Sequence, residues 1–291
     1  MSITSSAVLV EMSISVWTAN KTDKAATNKV LADNLAQASD AAQVRKNLMA
    51  GTGLRKEIAD YAAQCRLWHN TRTLPWADRG ARLLPTSLFL DYKQEANKRR
   101  DMFNAMVDNF IDKYPALVQT AHNYLGSLFD SADYPDADEV ANKFGYRLVF
   151  SPVPDAGDFR LDIAAQDMAE LRDQYDTQFN DRIADAVRKP WNDLHKMLVG
   201  MSEKLTEEVS DDPENPVPKK RLWHDTFITN AQEMCALLTH FNLTKDPQME
   251  EARRQLERTL VGADIDVIKG SPLARSEMKG KVDAMLKQFE W

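Results

Sequence analysis

The sequence predicts a mainly α-helical protein, α+β in its N-terminal part with a small antiparallel sheet, and a helical bundle in its C-terminal part. Three observations carry this. From Ala164 to Val209, apolar residues recur three or four apart: Met168, Leu171, Tyr175, Phe179, Ile183 and Val187, then Trp191, Leu194, Leu198, Met201, Leu205 and Val209. With Asp, Glu, Lys and Arg between them, they form one stripe along a helix. Apolar residues instead alternate with polar ones over Val8 to Val16, and again between Tyr146 and Ile163, the period of half-buried strands. Beyond residue 220, three more helical stripes follow.

Taken in order, the strand over 8–16 points Val8, Val10, Met12, Ile14 and Val16 to one face. Asn20 to Asp23 offer turn and capping side chains for a helix over Ala25 to Ala38. Ser39 or Asp40 then caps a short second helix that stops at Gly51-Thr52-Gly53. Leu54, Ile58, Tyr61, Cys65 and Trp68 form a clear helical face, which ends before a loop over Thr73 to Trp76 and the segment Gly80 to Pro85. Ser87 opens a second long helical region reaching Tyr114. Pro115 suits a first turn, so 116–129 reads as a new or kinked helix. An acidic turn from Asp130 to Glu139 and a short helix to Phe144 precede the hairpin 146–163.

A lone hairpin is marginal in water, so the strand over 8–16 is its expected third member. The long helix 164–209, at ~1.5 Å per residue, would run roughly 69 Å, more than the width of a compact domain of this size. It must therefore be covered by other helices or by a partner chain. Pro190 removes a backbone donor from it, and a kink is expected near Ala186. Residues 210–220, with three prolines, read as a flexible linker. The stripes through Trp223 to Phe241, Met249 to Leu260 and Met278 to Phe289 supply the cover for the far half of the rod. The expected division is residues 1–163 and residues 164–291.

Bulk properties narrow the function classes. The 291 residues are 43% hydrophobic, enough for a core without staples. Cys65 and Cys235 lie in apolar stripes and read as buried thiols in a reducing cytoplasm. No run of ~18 apolar residues exists, and Glu11 interrupts the N-terminal apolar stretch, so neither a membrane span nor a signal peptide is expected. A formal charge of −7 argues against nonspecific duplex binding as the main role.

The templates for chemistry fail in turn. None of the five histidines has a glutamate three residues before it, as a carboxylate-bridged di-iron bundle requires. Gly51-Thr52-Gly53 lacks the third glycine and the Lys-Ser/Thr ending of a phosphate loop. The acidic run 130–139 lacks calcium-loop spacing. Asp264 or Asp266 with Glu277 and Lys279 resembles a nuclease set, but Glu277 falls in a helix. The sequence thus assigns no catalytic, cofactor-binding or metal-ligating residue. What stands out is a repeat, Arg66-Leu67-Trp68-His69 against Arg221-Leu222-Trp223-His224, whose tryptophans could stack on bases or pack in a core. The densest basic spots are Lys98-Arg99-Arg100 and Lys219-Lys220-Arg221, and the chain closes on Trp291. Candidate contacts to a partner or to nucleic acid are therefore Arg66, Trp68, Lys98, Arg99, Arg100, Arg221, Trp223 and Trp291.

Several blocks look familiar together: Val8 to Glu11, Arg66 to His69, Thr73 to Trp76, Arg82 to Pro85, Asp91 to Lys93, Phe150 to Pro154 with Gly157 to Arg160, Arg254 to Arg258 and Phe289 to Trp291. In these the chain resembles a family of uncharacterised proteins of tailed bacteriophages and prophages, encoded near a MoxR-type AAA+ ATPase. The resemblance implies an accessory or adaptor in an ATPase-driven remodelling system and supplies no catalytic residues; the over-long stripe and the failed templates add the expectation of a non-enzymatic protein that acts through protein contacts in the bacterial host cytoplasm. The expected partner is a protein, that ATPase or a host protein, and self-association into a homo-oligomer is a further expectation. A single-stranded nucleic-acid-handling protein and an inhibitor of a host defence enzyme are the alternative readings.

Overall fold

A one-turn helix α1 (Ile3–Ser6) leads into β1 (Ala7–Ser15), followed by β2 (Asn20–Thr22), α2 (Lys24–Asp33) and β3 (Arg45–Asn47). Next come α3 (Leu54–Thr71), β4 (Leu74–Pro75), β5 (Arg82–Pro85), α4 (Phe89–Leu125), α5 (Ala137–Ala141) and β6 (Gly145–Pro152). The remainder is helical: α6 (Ala165–Leu205), α7 (Thr226–Phe241), α8 (Pro247–Leu260), α9 (Ile265–Gly270) and α10 (Pro272–Gln288). This computed structural model describes residues 3–77, 80–154, 165–206, 226–289 and 291. The chain is mainly α-helical, with a small sheet in its N-terminal part ordered β4-β5-β1-β6. Its contacts define two compact units: Met1–Val10, Arg72–Leu90 and Phe150–Trp291 in the first, Glu11–Thr71 and Asp91–Val149 in the second.

In the first unit, β5 runs antiparallel to the start of β1, Ala7 opposite Pro85 and Val10 opposite Arg82, and β4 pairs with β5 on its other side. The loop expected over Thr73 to Trp76 and the unassigned segment Gly80 to Pro85 are corrected to strands: two and four residues are too short to show a period, and each strand ends on a proline. The C-terminal helices bury Leu194, Leu198, Met201 and Leu205 of α6 against Leu238 of α7, Leu256 of α8 and Val282 of α10. The far half of the long helix is therefore sealed by its own chain, as its stripe requires. A second apolar cluster sets Phe179 and Ala186 of α6 against Leu74, Trp76 and Leu83. α6 is continuous through Pro190, which is itself buried. The six-residue α9, capped by the Asp264 carboxylate on the Asp266 amide, was not foreseen.

In the second unit, α3 and α4 pack around Ile58, Ala62, Cys65, Phe103, Phe110 and Tyr114. Phe110 and Tyr114 both meet the Trp17 indole, at 6.3 and 5.9 Å between ring centres, favourable aromatic distances. Here β1 lies beside β6, where Arg147 bonds Glu11 at 3.0 Å and the Tyr146 hydroxyl reaches the Met12 sulfur. At Gly145 a side chain would come within 2.9 Å of the Ser15 hydroxyl, so the close approach selects glycine. The helix expected between Ser39 and Gly51 is corrected to β3, paired antiparallel with β2. Asp23 does cap α2, accepting from the Ala26 amide at 2.9 Å. α4 runs unbroken through Pro115, where a new or kinked helix was expected. The second arm of the hairpin, 158–163, and the linker 210–220 lie outside the described residues.

Candidate functional site

The residues singled out by sequence converge in part, at the α3–α4 seam of the second unit. Trp68 and His69 sit in the last turn of α3, and Tyr92, Glu95 and Arg99 share one stripe of α4, three or four residues apart. The Trp68 indole stacks on the Tyr92 ring at 4.8 Å and 21°, and the Arg99 guanidinium lies 4.7 Å from its centre. Both contacts engage the π system favourably. Arg99 also bonds Glu95 at 2.9 Å, and the buried His69 ring shares a 2.6 Å hydrogen bond with the Tyr92 hydroxyl. A nucleobase stacking on Trp68 would have to displace a stacked ring or a paired guanidinium. Tyr92 was legible only as an apolar stripe position, since nothing in the sequence signals a ring that pairs with both Trp68 and His69.

The other candidates are placed apart. Arg66 donates to the Ile14 carbonyl at 2.7 Å, so its charge serves the strand edge. Lys98 is exposed, and Arg100 reaches its neighbour Asp101 at 3.2 Å. Trp291 folds back on the bundle of the first unit. It stacks on His195 at 5.0 Å, meets Trp191 edge-on and donates to the Leu286 carbonyl at 3.0 Å. Arg221 and Trp223 lie outside the described residues.

Two groupings with catalytic residue types were unforeseen or differently read. Ser202 on α6 donates to Asp283 on α10 at 2.5 Å, and Lys279 bridges both at 3.3 and 2.5 Å. A Ser–Lys nucleophile needs a neutral amine, whereas this lysine faces a carboxylate. Burial would raise the Asp283 pKa, but the bonds from Lys279 and Ser202 outweigh it and hold the carboxyl below its ordinary range. The trio is thus a polar tie between two helices. Ser87 and His240 approach to 2.9 Å, both in the first unit and near its surface. Cys65 and Cys235 are buried and unbridged. Burial pushes the Cys65 thiol up despite the Arg99 guanidinium, and pushes Cys235 up to about 11. Neither is poised as a thiolate.

Among the described residues, no group of three His, Cys, Asp or Glu side chains is arranged to hold a metal ion, and no helix is long and apolar enough to cross a membrane. No protein-family model, no curated protein and no solved structure matches the chain.

Proposed function

We propose that the chain is a non-enzymatic protein-interaction protein, a phage-encoded adaptor to a MoxR-type AAA+ ATPase in the bacterial cytoplasm. The observation that carries the interaction reading lies in the C-terminal helices of the first unit. Val261 after α8, Val267 on α9 and Leu273 at the start of α10 are 77%, 55% and 70% exposed. Three large aliphatic side chains left in water within one short stretch, beside a closely packed bundle core, are what a partner surface buries. The phage and ATPase parts of the reading rest on the sequence blocks that resemble the phage family. The far half of the long-helix stripe is occupied by its own bundle, which moves the expected contact to the exposed side chains between Val261 and Leu273.

The test is co-purification with the neighbouring ATPase and measurement of its ATP hydrolysis. A stable complex or a changed hydrolysis rate is expected with the parent chain. Val261→Asp and Leu273→Asp, both at exposed positions, should weaken it about tenfold or more with the helical circular-dichroism signal unchanged. No complex and no effect on hydrolysis overturns the adaptor reading.

A further inference from the structure

In the first unit, β4 and α6 enclose a cleft of about 290 Å³ lined by Pro75, Trp76, Ala77, Arg82, Arg182 and Asp185. Its wall is rigid. The buried Trp76 indole is held edge-to-face by Phe179 at 5.6 Å and 81°, one turn before Arg182 on the same helix. Arg82, opposite Pro75 in the β4–β5 pair, is pinned by bonds from Nε to the Thr73 hydroxyl at 2.6 Å and from Nη2 to the Thr73 carbonyl at 3.0 Å. Its positive charge therefore has a fixed place at the cleft. Arg182 and Asp185 are three residues apart on α6, a spacing at which opposite charges commonly pair. They do not pair here: the Arg182 guanidinium instead sits 5.9 Å from the centre of the Trp76 ring. Among the described residues neither it nor Asp185 makes an ion pair.

We propose that this cleft binds a small zwitterion of the amino-acid class, its carboxylate on Arg182 and its ammonium on Asp185. The charge pattern selects that class. A guanidinium is built to take a carboxylate through parallel N–H donors, and the volume is at the small end of ligand sites. A phosphate would draw on Arg182 and Arg82 together, but it would set two negative charges beside Asp185, a like-charge contact that a zwitterion turns into an attraction. Pro75 and Ala77, also at the lining, are left for the ligand's carbon skeleton. The inference is independent of the adaptor reading, because it concerns a different part of the first unit and needs no partner protein.

Calorimetric titration of the full chain with L-leucine and L-arginine, with acetate and inorganic phosphate as controls, tests it. Saturable binding of at least one amino acid is expected, weaker for acetate and phosphate. Arg182→Gln and Asp185→Asn should each lower that affinity about tenfold, while acetate binding is lost only with Arg182→Gln. Both side chains lie outside the buried core, so an unchanged melting temperature confirms that each variant is folded. The proposal is overturned if neither amino acid binds, if binding ignores both substitutions, or if phosphate binds more tightly and gains affinity in Asp185→Asn.

Discussion

Lys21 and Lys46 stand directly opposite each other in the β2–β3 pair, an arrangement that like charges make unfavourable. The second unit resolves it with Asp133, which forms ion pairs with both lysines. Asp133 and Lys46 keep only 7% and 9% of their side-chain surface, and Asp23 is Lys46's further carboxylate, at 3.9 Å. Burial would raise the Asp133 pKa, but the bonds from Lys21 and Lys46 outweigh it and hold the carboxyl below its ordinary range. A depressed carboxyl stabilises the fold above its unfolded pKa of about 3.9, and the contribution disappears as pH falls through the folded value. Asp133→Asn leaves Lys46 a buried charge without its nearest counter-ion, which should cost about 3 kcal/mol at pH 7. In urea unfolding, the gap between variant and parent should narrow steadily below about pH 4; a gap that stays constant down to pH 2 would show that the carboxylate charge is irrelevant. The sequence displayed Asp133 only as part of an acidic run, because nothing local to 130–139 reveals two lysines more than eighty residues earlier.

At the scale of elements, legibility followed length. The stripes of α3, α6, α7, α8 and α10 were readable because a period of 3.6 residues repeats many times within each. β3, β4, β5 and α9 were not, since a segment of two to six residues completes too few periods and is fixed by its neighbours. At Pro115 the sequence left open a new helix or a kinked one, and the structure has a continuous helix. A proline inside a helix forfeits one backbone bond and crowds the preceding turn, yet α4 continues through Pro115, where Tyr114 and Ala121 on either side are buried and anchor the helix. Pro115 itself is exposed and packs on no core. Pro115→Ala should therefore restore the missing bond without losing contacts. After subtracting the unfolded-state stiffness that proline supplies, the gain is about 1–2 kcal/mol, read as a higher thermal midpoint in circular dichroism. A lower midpoint would mean that the helix is bent at this point and depends on the bend. In the candidate site the same rule of length applies: Trp68 and Arg99 were visible as residue types on helices, whereas the cleft at Trp76 draws on the short β4 and β5.

At the scale of the whole molecule, each unit is assembled from stretches far apart in sequence, a property that no local pattern encodes. The first gathers the N-terminal residues, the 72–90 segment and the C-terminal helices, and the second is built mainly on α3 and α4. Their buried clusters have no residue in common: Leu198 lies among the C-terminal helices, and Phe110 lies beside Trp17 and Tyr114. Both side chains are completely buried, so Leu198→Ala and Phe110→Ala should each cost about 3–5 kcal/mol through lost burial and the cavity left behind. Sites that share no packing partners add. The double variant should accordingly lose the sum of the two single costs to within about 0.5 kcal/mol in denaturant unfolding. Two separate transitions, each moved by only one of the substitutions, would instead mean that the units unfold independently and that a ligand stabilising the first leaves the second unchanged.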